Sequence, residues 1–488
     1  HHNESLNKPF GAFRKLTLDW SPRSIITLWC LVTAFWIPYF VAYFPGVYWY
    51  DTSWQLMEYY DPSVPFTDHH PFMMTYLYVG FAHIGKALFN NATYGLYLLV
   101  LVQSLLSTLA IACTVCYTGK YNILWKCRFF IAVFLTFFPI IPMMSMSLAK
   151  DTFNTPFFVF FSIAFCELWR TQGTILKSVS FDVFFIADAL AVSLTKKTGM
   201  YIIVLALLLL ACFVVKHWSY KIATIVLGGV PYLVVGIIVP TFILPALHIA
   251  PGESNEILAV PMQQVANVVH NHKDDLSVAE IDEIQQIYHM DIGQLQDAYC
   301  WYKADPIKGQ ELSSKDEHAL ITTWTKQLVK HPGDMIAGWG GLSVAWFSFN
   351  VASGEEQDLS MMRPINNSKH HYQNIEQYMP WTDNTKAGNA IGQFYADTLS
   401  ATPILNIIWQ KAFWATILPF AIMFLILRSK KNKLNLLMLN LPIFITMLVL
   451  FAGPISTHTE ATRYVLPMLY IIPLFLPLTL KHLQPKEF

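Results

Sequence analysis

The chain has 488 residues, of which 54% are hydrophobic, 15% aromatic and only 13% charged, and its mean hydropathy is +0.40. That composition excludes an ordinary soluble globule and reads as an all-α polytopic membrane protein. Its 32 basic and 32 acidic side chains balance, so no overall positive field points to nucleic acid as a partner.

Crossing roughly 30 Å of hydrocarbon as a helix takes about 20 mainly apolar residues. After an opening His1-His2 that looks like a tag remnant, ten such stretches are predicted as transmembrane helices. They lie near 25–45, 93–116, 129–147, 155–169, 180–195, 200–215, 222–246, 404–427, 435–453 and 464–480. Lys and Arg in the short flanks set the orientation: Lys8, Arg14, Lys15 and Arg23, then Lys120, Lys126 and Arg128, Arg170 and Lys177, Lys216 and Lys221, Arg428, Lys430, Lys431 and Lys433, and finally Lys481 and Lys486 gather on one side. Both termini are therefore expected to be cytoplasmic. Phe72–Phe89 could just span, but counting it would invert everything after it, so it is read as an interfacial helix in a first outer loop over 46–92.

These features divide the chain into an N-terminal membrane module, 1–247, an extracytoplasmic domain, 248–403, and a C-terminal membrane module, 404–488. The middle segment has nine basic and 20 acidic residues and half of the 16 histidines. Within it, helices are predicted over 277–300, with Ser277 and Glu280 as a capping box, and over 313–331. A short interfacial helix is predicted over Ala337–Phe349, and loop over 350–395. Cys113 and Cys116 have CxxC spacing but lie at the end of an apolar stretch, so packing is favoured, and no disulfide framework is implied. The eight histidines of the middle segment, His370 and His371 among them, show no ligand spacing, and no structural zinc is expected.

Four clusters at the outer ends of the stretches carry candidate chemistry. The first is Asp51, framed by aromatics and Gln55, with Asp68, His69 and His70 beyond it. It suits general-base activation of an acceptor, or a divalent cation such as Mg or Mn held by Asp51, Asp68, His69 and His70. Asp68 serves equally well as a cap for the helix begun at Pro71. The second is Lys150-Asp151, a phosphate-binding lysine or a snorkelling one paired with its neighbour. The third is Lys196-Lys197, two lysines on the side where lysine is disfavoured, which calls for a local anionic partner. The last is Glu460 with Arg463 and Tyr464, a phosphate fork or an interfacial anchor.

The order of these features resembles the glycosyltransferase C superfamily. The strings Phe44-Pro45-Gly46, Asp51-Thr52-Ser53-Trp54-Gln55, His69-His70-Pro71 and Arg463-Tyr464-Val465-Leu466-Pro467 are similar to an uncharacterised bacterial branch of it. The likeness covers roughly 25–245 and 404–480 and leaves the middle segment unexplained. It implies an enzyme of the bacterial cell membrane, active on the extracytoplasmic side, using a polyprenyl-phosphate-linked sugar donor. The acceptor would be a cell-envelope glycan, teichoic acid, lipid or protein. By that analogy Asp51 is the base or orients the acceptor, and Lys150 and Arg463 bind the donor phosphate. Lys196-Lys197 stands where many members place an arginine. The rival reading is a lipid or polysaccharide transporter or flippase, against which no inverted repeat of hydropathy is visible.

Overall fold

The computed structural model describes residues 18–252, 254–308, 312–349, 375–400, 408, 410–430, 432–453, 455–457 and 461–483. The basic flank residues Lys8, Arg14, Lys15, Lys431 and Lys486, and with them Glu460, His370 and His371, lie outside the described residues.

The described chain is almost wholly helical. In order come α1 (Pro22–Ala42), β1 (Val47–Tyr48), α2 (Tyr50–Tyr60), α3 (Phe72–Phe89), α4 (Ala92–Lys120), α5 (Trp125–Phe137), α6 (Ile140–Ser145), β2 (Ser147–Leu148), α7 (Lys150–Thr171), α8 (Val179–Thr195) and α9 (Lys197–Phe213). The helix α10 (Trp218–Ala246) follows, then α11 (Ala259–His272), α12 (Val278–Tyr288), α13 (Ile292–Ala298), α14 (Ser314–Lys330), α15 (Pro332–Phe347) and α16 (Lys386–Ser400). The chain finishes with α17 (Phe413–Arg428) and α18 (Lys433–Leu439), α19 (Leu441–Phe451) and α20 (Thr462–Leu483).

Among the described residues, five helices, α1, α4, α7, α10 and α20, are long and apolar enough to cross a membrane, and a sixth crossing results if α18 and α19, bent by 64° to each other, act as one. This is a membrane protein, with fewer full-length spans among the described residues than the ten expected. All ten apolar stretches contain helix, but several are cut short. Pro139 separates α5 from α6, because proline supplies no N–H and cannot continue the preceding helix. Helices α9 and α17 are apolar but shorter than a full span. The expected interfacial helix Phe72–Phe89 forms as α3 and is not among the five.

Close helix contact is set by glycine where α3 turns into α4. A Cβ on Gly85 would lie 2.2 Å from Gly95 N, and one on Gly95 would lie 1.8 Å from the Phe81 carbonyl oxygen. The turn between them runs through Asn90 at φ 53°, and Asn91 accepts the Thr93 N–H to start α4.

A second apolar core belongs to the middle segment, built around Met262, Val265, Val269, Ile284, Leu320 and Leu342 of α11 to α15. Its sequence signals are read locally: Ser277 with Glu280 forms the expected capping box, and Ser313 with Asp316 forms another. The stretch 277–300 is two helices rather than one, since His289 turns left-handed at φ 52° and Asp291 starts α13. The expected loop over 350–395 is corrected where it can be seen, because α16 begins at Lys386; residues 350–374 lie outside the described set.

Candidate functional site

Two short parallel strands organise the site. Val47 pairs with Ser147 and Tyr48 with Leu148, and each strand passes at once into a helix whose first turn carries an aspartate, Asp51 in α2 and Asp151 in α7. The Thr52 hydroxyl donates to the Leu148 carbonyl and fastens the pair. Lys196 and Lys197 open α9, and Arg463 is the second residue of α20. Four helix N-termini therefore meet here, each contributing partial positive charge from unpaired N–H groups.

A cavity of about 610 Å³ lies at this meeting point. Asp51, His69, His70, Lys150, Asp151, Lys196, Lys197, Arg463 and Tyr464 all line it, nine residues singled out from sequence alone. Arg463 is the hub. Its Nη2 lies 2.6 Å from Asp51 Oδ2, its Nε 3.6 Å from Asp151 Oδ2, and its guanidinium stands 5.5 Å from the Trp49 ring centre and 5.1 Å from that of Tyr464. Lys196 holds the other Asp151 oxygen at 2.5 Å.

Lys150 does not pair with Asp151. Its Nζ lies 2.7 Å from His70 Nδ1, and among the described residues no carboxylate is within ion-pair distance of it. Burial first, and then the charge of Lys150, push the His70 imidazole well below its ordinary pKa. A neutral His70 therefore accepts from the ammonium through Nδ1. For Asp51, burial pushes the carboxyl up, but the charge of Arg463 and its hydrogen bond, foremost among the neighbouring groups, outweigh it and hold it well below the usual carboxylate range.

Two expected residues stand elsewhere. Asp68 is behind the wall: it accepts the Phe72 N–H at 3.1 Å and pairs with Lys197 at 2.7 Å, so it does cap α3. Backbone bonds between Phe66, Asp68 and Ala250 hold it there. Gln55 is buried and donates to Thr75 at 3.0 Å, away from the cavity. Glu460 is outside the described residues. The candidate cation ligands Asp51, Asp68, His69 and His70 do not form, among the described residues, a group of three ligand atoms close enough to share a metal.

The cavity also has contributors that sequence reasoning missed. Glu256, Lys303, Asp305 and Lys308, from the segment containing the second core, line it together with Trp346. Lys308 pairs with Glu256 at 2.5 Å and Asp305 at 2.7 Å. No local signal sets Lys303, Asp305 and Lys308 apart, because charged residues are ordinary in this polar segment. Phe158, Ile202, Val449 and Leu450 supply an apolar side.

A family profile described as "Family of unknown function (DUF6020)" matches residues 57–487, and the protein belongs to that family. The match takes in Lys150, Lys196, Lys197 and Arg463 but opens after Asp51. No curated protein and no solved structure matches the chain.

Proposed function

We propose that the protein is a membrane glycosyltransferase that moves a sugar from a polyprenyl-phosphate donor to an acceptor hydroxyl on the extracytoplasmic side. One observation carries this reading: Asp51 shares a single cavity, partly apolar, with Lys150, Lys196, Lys197 and Arg463, brought there by four helix N-termini. Such a place suits an anionic headgroup attached to a lipid tail.

In the reaction, the acceptor hydroxyl attacks the anomeric carbon as the bond from that carbon to the phosphate oxygen breaks. The electron pair leaves with the phosphate, where Lys150 and Arg463 stabilise it. Asp51, held ionised by its neighbours, is a weak base. It orients the hydroxyl and takes its proton only as the new bond makes the oxygen acidic. The proton then passes to the departed phosphate.

The expected side of the membrane draws support from α7. Its N-terminus is in the cavity, while its last turns hold Glu167 with Lys120 at 2.9 Å and Arg170 at 2.6 Å. A helix of 22 residues puts about 33 Å between those ends, a separation that agrees with basic loops on one side and the cavity on the other. We take the ten apolar stretches as the crossings, and 248–403 as the extracytoplasmic cover that selects the acceptor.

Incubating the purified protein in detergent with radiolabelled polyprenyl-phosphate sugars tests the proposal. Asp51→Asn is expected to lower transfer by about 10²–10⁴-fold with unchanged gel-filtration behaviour; full activity in that variant removes Asp51 from its role. Lipid translocation in vesicles without any sugar transfer would overturn the enzyme in favour of a transporter.

A further inference from the structure

Away from the cavity, the helices around the second core bring one residue of α11 beside two that stand close together at the start of α15. His272 ends α11, His331 precedes α15, and Asp334 lies in the first turn of α15. One ligand atom from each lies within 4.8 Å of the other two. We propose that His272, His331 and Asp334 form a binding site for a divalent transition-metal ion of the zinc type, clamping the end of α11 to the start of α15.

The neighbours are arranged as a ligand shell requires. His272 Nδ1 lies 3.2 Å from Asp275 Oδ2, while Nε2 lies 3.0 Å from Asp334 Oδ2. With Nδ1–H donated to Asp275, the Nε2 lone pair of a neutral ring faces a carboxylate oxygen, a repulsive pair that a cation between them relieves. A carboxylate behind a ligating imidazole is the usual way its tautomer and orientation are fixed. Asp334 is steadied similarly: Asn271 donates to its Oδ1 at 2.9 Å, and Asn267 donates to its backbone carbonyl at 2.7 Å.

His331 adds an independent observation. Its Nε2 is shielded from solvent and has no hydrogen-bond partner among the described residues, and its ring stacks on His272 with centres 4.6 Å apart. Two imidazoles and one carboxylate match a three-ligand tetrahedral site with the fourth position open. Zinc–ligand bonds of about 2.0–2.1 Å put ligand atoms about 3.4 Å apart, so small side-chain rotations close the set. The side chains of His272 and Asp334 are 36% and 23% exposed, leaving the fourth position to water. The 59-residue separation of the two histidines is why no local spacing revealed the site, and the zinc not expected from sequence is here proposed.

The test uses the full chain, stripped with chelator, dialysed against Zn²⁺ and assayed by elemental analysis, with Co²⁺ absorption as a report of geometry. His1-His2 is present in every variant, so differences between variants report the site. Wild type is expected to keep about one more equivalent of Zn²⁺ than either His331→Ala or Asp334→Asn, and to give the strong visible bands of tetrahedral Co²⁺. His289→Ala, a histidine among the same helices, should match wild type. Asp334→Asn keeps the shape of the side chain and guards against a folding defect in His331→Ala. Equal metal content in wild type and both site variants, or no tetrahedral Co²⁺ bands, overturns the proposal and leaves His272 as an imidazolium bridging two carboxylates.

Discussion

Arg463 holds two carboxylates at once, and one of them, Asp151, has a fully buried side chain. Removing the guanidinium leaves negative charge in a site of low polarity. Arg463→Ala is therefore expected to cost about 3–5 kcal/mol in a reversible unfolding experiment. Arg463→Lys keeps the charge but not the fork, and should fold while losing about 10²-fold in transfer, measured as kcat/KM. Glu58 offers a different handle. It is 4% exposed and accepts from Thr67 at 2.7 Å, and burial pushes its carboxyl up to about 7 from the ordinary value of 4.5. Between those values the folded protein binds the extra proton, so stability falls as pH rises from about 4.5 to 7. Glu58→Gln should flatten that part of the thermal-midpoint profile; an unchanged slope would remove Glu58 as its source.

At the level of elements, α3 and α4 depend on backbone contact that no side chain can replace. Gly95→Ala would drive a methyl against the Phe81 carbonyl and is expected to cost about 3 kcal/mol, seen as a lowered thermal midpoint in detergent. The neighbouring Gly80, with open space at its Cβ position, should accept alanine and serves as the control. Helix starts were legible where the signal is short-range, as at Ser277 and Ser313, because a cap needs only residues three apart. Helix lengths were less so. Hydropathy registers apolar runs without registering where proline or a bend interrupts them, and so α5 with α6, and α18 with α19, each read as one unbroken helix.

Across the whole molecule, membrane helices and the middle segment meet at the cavity. The members contributed by the membrane helices could be read from sequence because charges at the ends of apolar runs stand out. Lys303, Asp305 and Lys308 could not, since a charged residue in a polar segment is unexceptional until folding brings it to a wall. If that wall handles the acceptor, Lys308→Ala should raise the acceptor KM about 5–10-fold and leave the donor KM unchanged; equal changes in both would contradict the division. The two-residue pairing of β1 with β2 has a bearing on sequence change in this family. Side chains alternate along a strand, so adding or deleting one residue between α1 and Tyr48 would turn Val47 and Tyr48 over and rotate the start of α2 with them. The connection after α1 is thus a measured spacer, where a change of length would do more harm than most changes of residue.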